Sequence, residues 1–89
     1  MWKIKDNVDL KELEKYGFKF DVPSGFYERK IDNNWWEIIC VDKNKEIFEM
    51  REEIGYWVSV FSDEKWFNVG NINDLIKADL VEEVEDVKN

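Results

Sequence analysis

The side chains that could do chemistry in this chain are its acids and its aromatics. Adjacent carboxylates recur at Glu52/Glu53, Asp63/Glu64, Glu82/Glu83 and Glu85/Asp86. Two carboxylates at the right separation can cleave a glycosidic bond, and clustered carboxylates can hold a hard cation. Neighbouring residues on a strand point to opposite faces, however, and no calcium-loop spacing occurs. The pairs therefore read as solvated surface. There is no histidine, which removes the commonest general base and the usual triads. The one cysteine, Cys40, can form neither an internal disulfide nor an ordinary structural zinc site. It lies in the most apolar run and reads as a small hydrophobe. Gly17, Gly25, Gly55 and Gly70 are isolated, so no glycine-rich phosphate loop exists. Ser24, Ser59 and Ser62 have no candidate base beside them. The expectation is a protein that is not an enzyme and uses no cofactor or metal.

The aromatics are the remaining candidates. The chain has 5 Trp, 6 Phe and 3 Tyr. Trp35/Trp36 and Tyr56/Trp57 are adjacent pairs on expected strands, so one ring of each pair turns away from the other. With helices on one sheet face, the opposite face is expected to show several of Trp35, Trp57, Trp66 and Tyr27. Trp and Tyr are favoured at interface hot spots, and the binding residues proposed on this basis are Trp35, Tyr56, Trp57 and Trp66. The competing reading is that a small domain fills its core with large rings.

Charge narrows the partners. The net charge is −8, distributed as +1 over residues 1–30, −4 over 31–60 and −5 over 61–89. Excess negative charge repels a phosphate backbone, so direct nucleic-acid binding is disfavoured. Stacking on single strands needs a basic groove too, and only Lys3, Lys5, Lys11, Lys15, Lys19, Arg29 and Lys30 could supply one. The same acidity could serve solubility, attract a basic partner or imitate a phosphate backbone. No run reaches bilayer length and the N-terminus lacks a signal-peptide core, which predicts a soluble cytoplasmic protein without membrane contact.

The elements that must position these residues form one domain of 89 residues. Trp2 and Ile4 alternate with Lys3 and Lys5, as in a short edge strand or arm. Asp6, Asn7 and Asp9 can cap a short helix over Leu10–Tyr16, ended by Gly17. Strands are expected over Phe18–Val22 and Phe26–Ile31, with turns at Pro23–Gly25 and Asp32–Asn34. The central hairpin runs from Trp35 to Arg51. A three-residue loop, Lys43–Lys45, sets Cys40 opposite Phe48 and Ile38 opposite Met50, with Trp36 on the same face. The other face then carries Trp35, Ile39, Val41 and Ile47, so both faces look at least partly covered. After a break at Glu52–Gly55, strands follow at Tyr56–Phe61 and Trp66–Val69. A second helix, capped by Asn71 or Asn73, contains Ile72, Leu75, Ile76 and Leu80. Leu80–Val84 is either its continuation or a charged last strand, and residues 85–89 should fray. The architecture expected is α+β: an antiparallel sheet of about five strands with two short helices, one near each end of the chain.

Asp74-Leu75-Ile76-Lys77-Ala78-Asp79-Leu80-Val81-Glu82-Glu83-Val84 resembles the C-terminal ending of small uncharacterised proteins encoded by bacteriophages and prophages. Their pattern is Asp-Leu-Ile, a small residue and glycine, then Leu-Val-Glu; here Asp79 stands in place of the glycine. The resemblance implies origin rather than activity. The expectation is a non-enzymatic binding or accessory protein acting through protein–protein contact, self-association as a homodimer included. The alternative is an acidic decoy for a host nucleic-acid site, with Asp42, Glu46, Glu49, Glu52, Glu53, Asp63 and Glu64 forming a stripe.

Overall fold

A computed structural model describes residues 1–85; the expected fraying of 86–89 lies outside the described residues. Among the described residues, seven strands form two antiparallel sheets. β2 (Lys19–Asp21), β3 (Phe26–Lys30), β4 (Glu37–Val41), β5 (Ile47–Glu53) and β6 (Tyr56–Phe61) make a five-stranded meander in chain order. β1 (Trp2–Ile4) and β7 (Val81–Glu83) pair with each other in a second, small sheet. This sheet joins the two ends of the described chain and meets the large sheet through Ile4, whose N–H donates to the Lys45 carbonyl at 2.8 Å. Among the described residues, no helix is long and apolar enough to cross a membrane.

The helical elements are few and short. Leu10–Tyr16 is a 3-10 helix rather than an α-helix. Asp9 caps it by accepting from the Lys11 N–H at 3.0 Å, and Gly17 ends it at φ 85°, a left-handed conformation that glycine adopts freely. A 3-10 turn, Val69–Ile72, leads into α1 (Asn73–Lys77). The side chain that caps this pair is Asn68, bonded to the Gly70 N–H at 2.9 Å, not Asn71 or Asn73. The strand expected over Trp66–Val69 is not formed, because that segment turns to start the helix pair and sends Phe67 against the core. Leu80 falls beyond the helix, and Leu80–Val84 resolves into β7. Asp79 ends the helical segment at φ 61°. Aspartate is among the residues that tolerate this left-handed conformation.

The central register is the one a three-residue loop demands. Cys40 faces Phe48 and Ile38 faces Met50. Lys45 makes the loop possible by taking φ 68°, and Asp42 secures it by accepting from the N–H groups of Asn44 at 2.9 Å and Glu46 at 3.0 Å. The next hairpin is tighter than expected. β5 continues through Glu52 and Glu53, and only Ile54 and Gly55 turn, at φ 46° and 86°. Two positive φ values make a type I′ turn, whose twist matches that of the strands.

One core holds the parts together. Ile39, Val41 and Ile47 from the sheet meet Leu13, Ile72, Leu75, Ile4, Val81 and Phe18. The covering elements among the described residues lie on one face of the sheet; Cys40 and Phe48 on the other face are buried too, so the expectation that both faces are at least partly covered holds there only through the sheet's own side chains. Arg29 ties the cover down. Its Nη1 donates to the Tyr16 carbonyl at 2.8 Å and to Asp74 Oδ2 at 2.7 Å. Its Nη2 donates to the Asn71 carbonyl at 2.8 Å and to Asp74 Oδ1 at 3.1 Å. The guanidinium also lies 4.5 Å from the centre of the Phe18 ring. Partial burial works to raise the Asp74 pKa, but Arg29 and the backbone N–H groups outweigh it and hold it below the usual value.

Candidate functional site

Directly paired residues share a face, so the register maps the sheet surface turned away from the core. One row across the strands is Lys19, Glu28, Cys40, Phe48 and Phe61. The next is Lys30, Ile38, Met50 and Ser59. Trp36 continues the register beyond β4: its carbonyl accepts from the Glu52 N–H at 2.8 Å, and Glu52 faces Trp57. The charges Lys19, Asp21, Glu28 and Lys30 gather on β2 and β3. The half on β4 to β6 carries aromatic, aliphatic and sulfur side chains, with Glu52 as its one charge.

That half partly seals itself. The Phe48 ring is met edge-on by Phe26 at 5.2 Å and 89° and flanked by a tilted Phe61 at 5.8 Å and 40°. Phe48 and Cys40 are consequently buried although no other element among the described residues covers them. Burial, followed by the charges of Glu28 and Asp21, pushes the Cys40 thiol up to about 12, so it is not a thiolate nucleophile at neutral pH. Beyond the sealed zone, Trp57 and Trp36 stay about half exposed. They stand two strand spacings apart, roughly 10 Å, in the row that ends the sheet at the β5–β6 turn. Trp35 stacks edge-on against Trp36 at 5.7 Å and 88°.

Trp35, Tyr56, Trp57 and Trp66, the four proposed binding residues, are all exposed, at 62, 60, 45 and 71%. They do not form one patch. Trp35, Tyr56 and Trp57 gather at the end of the sheet that carries the Ile54–Gly55 turn, and Tyr56 looks out from the opposite face to Trp57. Trp66 lies past the other end of β6, under the Lys65 ammonium at 5.4 Å. Tyr27 belongs to the covered face and packs on the core. Phe26, Trp36, Ile38, Met50 and Phe61 complete the open surface and were not among the proposed residues. The signal that could have found them is composition. The covered face uses compact β-branched Ile39, Val41 and Ile47, while the open one uses large rings and methionine.

A second cluster lies on the covered face, near that same end of the sheet. Glu49 is 3% exposed between Ile39 on β4 and Val60 on β6. Burial and a hydrogen bond with Glu37 push its carboxyl up to about 7, against the opposing pull of Arg51. The Nε of Arg51 is buried without a hydrogen-bond partner, 3.9 Å from Glu53. A carboxyl titrating near neutrality is the kind of group that serves as a general acid, but at this depth Glu49 cannot touch a substrate. A surface concavity on the β2–β3 side is lined by Lys19, Asp21, Glu28, Lys30 and Ile38 instead. Among the described residues, no three Asp, Glu, Cys or His side chains converge as metal ligands. The acids of the supposed stripe are dispersed. Glu49 is buried, Glu52 and Glu53 point to opposite faces, and Asp42 and Glu64 are turned onto backbone N–H groups. No family model, curated protein or solved structure matches this chain.

Proposed function

We propose that the molecule is a non-enzymatic binding protein that contacts another protein through the open β4–β6 half of its sheet. One observation carries the reading: among the described residues, no helix or strand lies over the sheet face bearing Phe26, Ile38, Met50, Trp57 and Phe61, while the helical segments and the small sheet pack on the other face. Contiguous apolar surface rimmed by charge is characteristic of interaction sites. The rigid meander beneath it would present Trp36 and Trp57 without ordering cost. The acidic-decoy reading ranks below this one, since the acids it needs are dispersed or engaged.

Site-specific photocrosslinking in the source cell tests the proposal. Benzoylphenylalanine at Ser59, in the middle of the open half, should give a discrete protein adduct. The same group at exposed Glu14, on the covering helix, should give none. Equal yields from both positions, or no adduct from Ser59, would overturn the reading.

A further inference from the structure

The free strand edges of this fold are unlike one another. β2 has three residues, two of them charged, and Pro23 follows closely. The outer strand of the small sheet, β7, carries Glu82 and Glu83. Short strands, charges and proline are the ordinary devices that keep an edge from pairing. β6 has none of them. It is Tyr56-Trp57-Val58-Ser59-Val60-Phe61, uncharged, and paired to β5 through six consecutive residues without a bulge.

The hydrogen bonds at its two ends show which groups face outward. A two-residue type I′ turn closes with Glu53 and Tyr56 bonded to each other, so Tyr56 faces inward to β5. At the other end the Phe61 N–H donates to Glu64 Oε2 at 2.8 Å, and the Phe61 carbonyl accepts from the Glu64 N–H at 2.9 Å. Phe61 therefore faces outward. Alternation places the N–H and C=O groups of Trp57 and Ser59 outward as well, and no other backbone bond among the described residues takes them up. Glu64 plugs the edge at Phe61 and leaves the segment from Trp57 to Ser59 open.

We infer that this edge of β6 takes an extended segment of a partner protein as a sixth strand, with alternating apolar residues in its middle and Lys or Arg at both ends. Added strands gain affinity from main-chain hydrogen bonds and specificity from alternate side chains, here those lying beside Trp57 and Phe61. The charge requirement comes from the flanks. Glu52 and Glu53 stand at one end of the open segment, Asp63 and Glu64 at the other. Arg51 belongs to the covered face and Lys65 lies over Trp66. The same acids disfavour a second copy. Antiparallel self-pairing of β6 brings Asp63 and Glu64 of one chain toward Glu52 and Glu53 of the other, between chains of net charge −8 each. The inference rests on the reading that the molecule binds protein, and adds where and what.

The test is amide exchange and chemical shift on the isotopically labelled protein, with the synthetic peptide acetyl-KRVTVTVRK-amide and its acidic counterpart acetyl-EEVTVTVEE-amide. The basic peptide should slow exchange at the Trp57 and Ser59 amides by about tenfold or more, as expected of newly formed backbone bonds; the acidic one should not. Ser59→Pro removes an outward donor and leaves the β5 ladder intact, and should weaken binding at least tenfold. Should that variant lose its fold, Ser59→Lys, which only adds a charge, should weaken binding of the basic peptide several-fold. Binding that shifts Phe26, Ile38 and Met50 but leaves both edge amides unprotected would overturn the edge inference and leave the open-face reading standing. Protection of both amides without peptide, with a doubled solution mass, would assign the edge to a second copy and overturn the partner chemistry. No binding of either peptide would overturn the edge inference, whatever the crosslinking at Ser59 gives.

Discussion

Glu49 should make this protein less stable as the pH rises through neutrality, against the usual behaviour of a carboxylate. Its folded pKa of about 7 lies above the ordinary 4.5, chiefly through burial and then through Glu37. The native state therefore keeps a proton that the unfolded chain releases, and stability falls with pH between those two values. The gap corresponds to roughly 3 kcal/mol. That contribution is intact below pH 4.5, is lost as the pH climbs to about 7, and is constant above. Glu49→Gln keeps a neutral donor toward Glu37 and cannot ionise. Urea denaturation at constant ionic strength, followed by tryptophan fluorescence, should find wild type and variant alike at pH 4.5. At pH 8 the variant should be the more stable by about 2–3 kcal/mol. Only the difference between the two proteins counts, because other acids titrate in both. Glu37→Gln should shift the wild-type transition to lower pH, since it removes the second cause. A difference between Glu49→Gln and wild type that stays constant from pH 4.5 to 8 would refute the reasoning.

Two substitutions and one labelling test follow from the structure. Arg29→Lys cannot reproduce the fork that reaches Asp74 and two carbonyls, and should cost about 2 kcal/mol, read as a melting temperature lower by about 10 °C; an unchanged melting temperature would contradict the clamp. Ile54 is a β-branched residue at φ 46° and 98% exposed, so Ile54→Asn should stabilise by about 1 kcal/mol, and calorimetry showing no gain would deny the strain. Cys40, buried with its thiol near 12, should resist a thiol reagent at pH 8 and react only in denaturant; rapid labelling of the native protein would show the open face to be less sealed than described.

Much of the sheet was legible because short-range chemistry fixes it. The loop Lys43–Lys45 and the β-branched runs beside it specified the central register, and Asp9 and Gly17 marked the first helical segment. The β5–β6 turn was hidden, since Ile54 is a poor residue for its backbone and only Gly55 signals it. Trp66–Val69 has strand composition but no strand to pair with, so tertiary context overrode propensity. The two faces of the central hairpin were separated correctly, but Tyr27 was grouped with the exposed rings and belongs to the covered face; which face is covered depends on where Leu13, Ile72 and Leu75 land, and that is long-range information. Arg29 and Glu49 were read only as one cation of a possible basic groove and one acid of a surface stripe, and their structural roles were missed for the same reason. Their partners lie 13 to 45 residues away for Arg29, and Glu49 is enclosed from both neighbouring strands.

The aromatic residues of the open face could exist merely to seal it, and their positions separate that role from binding. Phe26 and Phe61 flank Phe48 directly. Trp57 does not: it lies one row beyond Met50 and Ser59, beside Glu52 and in line with Trp36. Sealing therefore assigns stability to Phe61 and little to Trp57. Phe61→Ala should cost about 1–2 kcal/mol, scaled down from a fully buried ring because Phe61 is 43% exposed. Trp57→Ala should cost less than about 1 kcal/mol and leave the fold intact. Binding should show the opposite order, with Trp57→Ala the more damaging to the adduct formed from Ser59. If both truncations destabilise equally and neither reduces the adduct beyond what unfolding explains, the rings are only a lid, and the open face has no role in recognition.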